Sequence, residues 1–221
     1  MKNKTKKAYE YVSEIFGKTL DDFNILVAKN REGYNKFVNK KTPPWMVGSK
    51  IDNKTIVVLD PKVWEKDSPM HNPDEFDSLL KHEIAHLFID QEANYKPVPR
   101  WIHEGLAQYV ANQVDKKDLF EKSIPKNFCK RMTGNGWNEM IEEGGYLLSG
   151  LFINFLIDRF SLKKVFDLLH NLDPNYDWDN FKKTFLNIFK IKLENLEDDF
   201  VFYNHKKQKE VLENTGGLKK T

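Results

Sequence analysis

The order of apolar and polar positions separates a mixed N-terminal part of the chain from a helical remainder. Apolar residues at helical spacing predict a helix over residues 6–16, and the Ile-, Leu- and Val-rich run 23–28 predicts a strand. The short apolar runs 45–48 and 54–59 predict a hairpin or two adjacent strands. The beginning of the chain therefore has the pattern of a small α/β lobe.

From Asn72 onward the apolar positions recur at the spacing of helices. Asn72, followed by Pro73 and Glu75, is typical of a helix N-terminus and predicts a helix that runs to about Gln91. Further helices are predicted over residues 99–113, 146–159, 161–170 and 178–189, with Ser161 as the cap of the third of them. The residues from Lys206 onward are polar and rich in lysine, and we expect them to fray as a tail.

These elements predict an α+β protein. We assign residues 1–70 to an N-terminal α/β lobe with an edge strand, residues 71–205 to a helical lobe and residues 206–221 to the polar tail, all forming one catalytic unit. The strand Thr55–Leu59 has two interpretations: an edge strand that pairs with an extended peptide, or an ordinary core strand. The sequence does not choose between them.

Charge and cysteine content exclude several classes of function. The 35 basic and 33 acidic residues nearly balance, so a broad basic field for nucleic acid or anionic lipid is not indicated. The Lys-rich ends suit flexible solvated termini better than nucleic-acid binding. The single cysteine, Cys129, excludes an internal disulfide and a Cys-rich zinc site, and we expect it to be a buried thiol.

No apolar run has the length of a membrane-spanning helix, and the basic first residues are not followed by the apolar segment of a signal peptide. We therefore expect a cytoplasmic protein without a membrane span. A chain from which a leader had been removed would instead be secreted or anchored.

The strongest candidate for a functional site is the segment His82-Glu83-Ile84-Ala85-His86, an H-E-x-x-H motif inside a predicted helix. At about 100° per residue, His82 and His86 lie only about 40° apart around the helix and one turn apart along it, so both rings can reach one metal ion. Glu83 lies to one side, where its carboxylate can accept a proton from water without taking a ligand position.

A catalytic zinc site needs a third protein ligand. Glu104 follows His86 by eighteen residues, which leaves room for a loop and a returning helix. His103 is the rival ligand, but adjacent residues point about 100° apart on a helix, and we favour Glu104. Gly105 inside this helix indicates a close approach to another helix.

Two segments carry a resemblance to a known family: Leu80 to Leu87, with its H-E-x-x-H motif, and Pro99 to Tyr109, with the later pattern W-x-x-E-G-x-A. The sequence resembles the thermolysin-like gluzincins, and among them the small peptidase-MA-like domains related to the aminopeptidase and collagenase catalytic modules. The segments 44–48, 55–59 and 146–156 resemble this family more weakly.

The resemblance implies a zincin-like fold with the metal site between the two lobes, and one Zn²⁺ per chain held by His82, His86 and Glu104. It implies Glu83 as the general base and Tyr146 as an electrophilic helper, whereas a Tyr that packs in the core is the other interpretation of Tyr146. Gln108 stands where some relatives have an Asp that supports the ligands, and its amide oxygen can accept a hydrogen bond from an imidazole.

The implied function is zinc-dependent hydrolysis of peptide bonds by metal-activated water, with a peptide or protein as the substrate. The alternative is a non-catalytic, metal-stabilised peptide-binding or regulatory module of the same fold. Glu83 argues against this alternative, because a module that does not cleave has little need of a base beside the metal.

Overall fold

The computed structural model describes residues 1–115, 118–134 and 136–216. In this part of the chain the fold is α+β, with a small three-stranded sheet and many helices, which confirms the predicted class. The chain forms two compact units. Unit 1 comprises Met1–Gln91 and Val110–Gln113, and unit 2 comprises Glu92–Tyr109 and the residues from Val114 onward.

Unit 1 contains the sheet, and its strands are β1 (Asn24–Ala28), β2 (Gly48–Asp52) and β3 (Thr55–Leu59). The strand order is β1-β3-β2, with β1 parallel and β2 antiparallel to β3. The predicted pair of adjacent strands is therefore confirmed as β2 and β3, but β2 occupies residues 48–52 and not the predicted 45–48.

The edge-strand interpretation of Thr55–Leu59 is wrong, because β3 is the central strand and pairs on both sides. Four consecutive residues of β3, from Ile56 to Leu59, have no solvent exposure. A continuous apolar run is typical of a strand that is covered on both faces, whereas a half-exposed edge strand alternates. Within the described residues β2 lies at one edge of the sheet and β1 at the other.

The helices of unit 1 are α1 (Lys2–Phe16), α2 (Arg31–Val38), α3 (Trp64–Asp67) and α4 (Phe76–Glu92), whose last residue belongs to unit 2. A 3-10 turn, Pro73–Glu75, leads into α4, and the Asn72 side chain accepts a hydrogen bond from the Asp74 N–H. The predicted start of this helix is thus confirmed. The helix α2 was not predicted, because it is short and buries only Tyr34.

The helices of unit 2 are α5 (Arg100–Val110), whose last residue belongs to unit 1, α6 (Phe128–Arg131), α7 (Gly136–Glu143), α8 (Gly145–Phe160), α9 (Leu162–His170), α10 (Trp178–Phe189) and α11 (Leu193–Gly216). Four were predicted, while α6, α7 and α11 were not. Ser161 precedes α9 but makes no side-chain cap bond, because its backbone has an unusual φ of 115°. Residues 206–216, expected to form a tail, continue α11, and the division of the chain at residues 70 and 205 stays a prediction.

Gly105 on α5 lies against α8 within unit 2. A Cβ atom at this position would come within 2.4 Å of the Ser149 carbonyl oxygen and 2.6 Å of an Ile153 side-chain atom. The glycine is therefore required for the close approach of two helices, as its place in the helix indicated.

In the described chain, no single helix is both long enough and apolar enough to cross a membrane. Only α7 and α8 taken together reach that length and composition, and they meet at a bend of 90°.

A buried carboxyl group lies beside the cysteine in the core of unit 2. Glu197 on α11 is 5% exposed, and its Oε1 accepts the backbone N–H of Cys129 at 2.8 Å. Burial raises the pKa of Glu197 to about 7, although its hydrogen bonds with Cys129 act in the opposite direction. Burial also raises the pKa of the Cys129 thiol well above its ordinary value, so this buried cysteine stays a protonated thiol.

Glu197 should make the stability of the protein depend on pH. Its ordinary pKa is 4.5, so between pH 4.5 and about 7 the folded state binds more protons than the unfolded state. The free energy of unfolding therefore falls as pH rises through this window, by roughly 3 kcal/mol at most, since one pKa unit corresponds to about 1.4 kcal/mol. Urea unfolding at pH 5 and pH 8 measures this loss.

Glu197→Gln is expected to remove most of this pH dependence, because the amide carries no titrating proton. Glu210→Gln is the matched control, since Glu210 lies on the same helix, its side chain is 56% exposed and it pairs with Lys206 at the surface. Identical pH slopes for the wild type and Glu197→Gln would contradict the assignment.

Candidate metal centre

Helix α4 in unit 1 carries the two histidines and the glutamate of the H-E-x-x-H motif. One side of the helix is apolar and fully buried, with Leu80, Ile84 and Phe88 at 0% exposure. The imidazole rings of His82 and His86 lie edge to face, with ring centroids 4.7 Å apart. His82, Glu83 and His86 are themselves only 5–9% exposed, so the motif lies in a largely dehydrated environment.

Gln113 contacts the first histidine. The Gln113 Oε1 atom lies 2.7 Å from His82 Nδ1. An amide oxygen can only accept a hydrogen bond, so Nδ1 carries the proton and the neutral ring has its lone pair on Nε2. A hydrogen bond of this kind fixes the tautomer and the orientation of a ligating histidine.

The segment Val110–Gln113 belongs to unit 1, and two further hydrogen bonds hold it there. Ser78 donates a hydrogen bond to the Ala111 carbonyl oxygen, and the Asn112 side chain donates one to the Tyr11 hydroxyl. The predicted helix over residues 99–113 is too long, since α5 ends at Val110, and its pattern did not indicate the contact of Gln113 with His82.

Gln108 is not the imidazole partner that the resemblance suggested. Its Nε2 donates a hydrogen bond to the Tyr146 carbonyl oxygen at 2.8 Å, and its Oε1 lies beside Gly150 on α8. Both contacts join α5 to α8 within unit 2. Gln108 therefore positions the first turn of α8 and not a histidine ring.

Glu83 lies against the beginning of β2. A Cβ atom at Gly48 would fall 2.3 Å from Glu83 Oε1 and 2.8 Å from both its Cγ and Cδ atoms. Only a glycine leaves room for the carboxylate in this position. Two residues further along β2, Lys50 forms an ion pair with Asp90 on α4, which links the strand to the helix a second time.

Glu104 on α5 of unit 2 is 3% exposed. Its Oε1 forms an ion pair with Arg100 Nη2 at 2.9 Å, one helical turn earlier. A buried carboxylate is stable when a cation or several hydrogen bonds compensate its charge. Glu104 thus has a cationic partner on a buried helix face.

The side chains of His82, His86 and Glu104 each offer one ligand atom, and these atoms all lie within 4.8 Å of one another. Donors on a tetrahedral zinc ion are roughly 3.4 Å apart at ligand distances of about 2.0–2.1 Å, so small side-chain rotations would bring these three onto one ion. Two imidazole nitrogens and a carboxylate oxygen also suit zinc chemically. The residues present therefore fit the implied metal, and His103 is not part of the group.

Tyr146, the residue that the resemblance implies as an electrophilic helper, lies in the first turn of α8. Its ring packs edge to face on Trp137, with centroids 5.1 Å apart, and its carbonyl oxygen accepts the hydrogen bond from Gln108. These contacts involve its ring and its main chain. The role of the hydroxyl group as a donor to the reaction stays a prediction.

Comparisons with known proteins leave the family open. No protein-family model matches the chain, and no solved structure gives a significant match. The chain is similar to the uncharacterized protein YhcO of Bacillus subtilis (strain 168), with 28% identity over 133 residues. This match covers 57% of the chain and 40% of the length of YhcO.

We expect Gln113→Ala to weaken zinc binding by about 10–100-fold, the usual effect of removing a hydrogen-bond partner from a ligating histidine. Competition with a chromophoric chelator measures the change in the dissociation constant. Asn112→Ala is the matched control, because Asn112 contacts Tyr11 and not a histidine. Gln113→Glu should restore tight binding, since a carboxylate accepts the same hydrogen bond, and an unchanged affinity in Gln113→Ala would remove Gln113 from the site.

Proposed function

We propose that this protein is a zinc-dependent peptidase of the gluzincin type, which hydrolyses peptide bonds with Glu83 as the general base. The observation that supports this proposal best is the group His82, His86 and Glu104, whose ligand atoms lie within 4.8 Å of one another. Glu83 follows the first of these residues directly and is not a member of the group. One carboxylate is thus available for the metal, and a second for proton transfer.

When bound, a zinc ion supplies Lewis acidity, which polarises a carbonyl group and makes water more acidic. Glu83 accepts the proton of the attacking water and delivers it to the leaving amine. The Glu83 side chain is only 5% exposed, so bulk water has little access to its carboxylate during the proton transfer. Gln113 orients the His82 ring, and Tyr146 is the proposed donor to the developing oxyanion.

The edge strand β2 gives a reason to propose an extended peptide as the substrate. Gly48 pairs with Val58 across the antiparallel ladder, and the Leu59 N–H donates to the Val47 carbonyl oxygen at 2.8 Å. Because hydrogen-bonded and non-bonded pairs alternate in such a ladder, the main-chain groups of Gly48 and Lys50 point away from β3.

A peptide that adds to this edge would therefore pair with Gly48, whose Cα lies against the Glu83 side chain. The scissile bond of such a peptide would lie close to the proposed base. The peptide-pairing role that was one interpretation of β3 is therefore proposed for its neighbour β2.

Metal removal tests the proposed function directly. We expect the protein to cleave members of a broad peptide library, to lose this activity after treatment with a chelator, and to recover it with one equivalent of Zn²⁺ per chain. Mg²⁺ should not restore activity, because it prefers an all-oxygen octahedral site. Mass spectrometry of the products measures cleavage, and elemental analysis measures the metal.

A protein that binds zinc but cleaves no member of the library would favour the non-catalytic binding module. A protein that binds no zinc at all would contradict both the peptidase and the metal-stabilised module.

A further inference from the structure

Arg100 lies one helical turn before Glu104 and is bound at two points within unit 2. Its Nη2 is 2.9 Å from Glu104 Oε1, and its guanidinium carbon lies 5.7 Å from the centre of the Trp137 ring. Trp137 is 6% exposed and packs in turn on Tyr146, so the indole is a fixed support. A guanidinium held by an ion pair and an aromatic face has lost much of its conformational freedom before any ligand arrives.

Despite these contacts, the Arg100 side chain is 51% exposed. A guanidinium carries five N–H donors in a planar fork, and the contact with Glu104 uses one side of it. The rest of the fork can reach a second acceptor from the solvent. Arginine is the side chain best suited to bind a carboxylate, because two parallel hydrogen bonds match its geometry.

The net charge around Arg100 would become more positive if Glu104 bound a metal ion. The Glu104 carboxylate balances the guanidinium in the structure. A divalent cation bound to that carboxylate more than cancels its negative charge, so the guanidinium is left beside a net positive centre. An anion from the substrate would restore the balance.

We propose that Arg100 binds a carboxylate group of the substrate close to the scissile bond, and so makes the enzyme prefer acidic peptides or peptides with a free C-terminus. This inference rests on the proposed peptidase function and deepens it. The carboxylate has two sources, an acidic side chain or the terminal carboxyl group of the peptide. Trp137 orients the guanidinium through its ring face.

Binding to the zinc-loaded Glu83→Gln protein tests the proposal without any need for cleavage. The probes are acetylated pentapeptides of alanine with Glu or Gln at the central position, each prepared as the free acid and as the C-terminal amide. Calorimetry gives the dissociation constant of each peptide. We expect a peptide with the correct carboxylate to bind about 10–100-fold more tightly than its neutral twin.

Arg100→Gln, made in the same background, should abolish this ratio, and elemental analysis shows whether the two proteins are compared at equal zinc content. Arg131→Gln is the matched control, because Arg131 is a surface arginine of unit 2 that pairs with Glu143. If Arg100→Gln loses zinc, Arg100→Lys decides the question, since it keeps the charge beside Glu104 but not the fork. The proposal then requires that zinc-loaded Arg100→Lys discriminates less between the carboxylate peptide and its neutral twin than the protein with Arg100 does.

Three results would overturn the proposal: no preference for a carboxylate in the protein with Arg100, an unchanged preference in Arg100→Gln, or an unchanged preference in zinc-loaded Arg100→Lys. Hydrolysis of neutral peptides by the wild type without such a preference would leave the proposed function standing and remove this inference. If the protein cleaves nothing but binds carboxylate peptides in a way that requires Arg100, the carboxylate site at Arg100 stands and the proposed peptidase function falls.

Discussion

Glu83→Gln is expected to lower peptide hydrolysis by about 10²–10⁴-fold, the usual effect of removing a general base. The amide has nearly the same shape as the carboxylate, so it should still fit the space beside Gly48, but it cannot accept a proton from water. The zinc content and the melting temperature should stay close to those of the wild type. Steady-state kinetics on a cleaved peptide, together with elemental analysis, measures both parts of the prediction.

Glu75→Gln provides the control for this substitution. Glu75 lies just before α4, and its side chain is 53% exposed and pairs with His71. The same chemical change at this position should leave the hydrolysis rate unaltered. An active Glu83→Gln protein with full zinc occupancy would exclude Glu83 as the base.

Glu104→Ala is expected to reduce zinc affinity by more than the roughly 10–100-fold that the loss of an outer partner costs, because it removes a ligand. Two histidines remain, and a stable protein site for zinc needs at least three protein donors. Equilibrium dialysis against a zinc buffer measures the occupancy. The loss of zinc should also abolish hydrolysis.

His103→Ala is the matched variant for Glu104→Ala, because His103 is the neighbouring residue on α5 and lies outside the group His82, His86 and Glu104. It should keep zinc. The reverse outcome, with zinc retained in Glu104→Ala and lost in His103→Ala, would assign the third ligand to His103.

Much of the site could be predicted from sequence because its residues lie on helices with strong local signals. The cap at Asn72 and the buried apolar positions of α4 both indicated the helix that carries His82 and His86. Because the helix period points adjacent side chains about 100° apart, it also indicated that His103 and Glu104 would not both be ligands. The ligand group in the structure contains Glu104.

The parts that the sequence did not predict depend on contacts between distant residues. Gln113 contacts His82 across 31 positions, and nothing in its local sequence indicates this partner. The position of β3 in the sheet depends on pairing with β1, although its continuous apolar run is typical of a strand that is covered on both faces. The helix α11 was missed because its first half is strongly charged and only a few of its residues reach the core, among them Leu196 and Phe200.

The short strand β2 has a consequence for the behaviour of the protein in concentrated solution. An unpaired strand edge is a template on which copies of a chain can join and aggregate. Here the edge has only five residues, and its register shifts between Lys50 and Asp52. Such an edge can pair with a short extended segment, yet it is too short and too irregular to start a growing sheet. We therefore expect less aggregation through β2 in concentrated solution than a longer and flatter edge strand would cause.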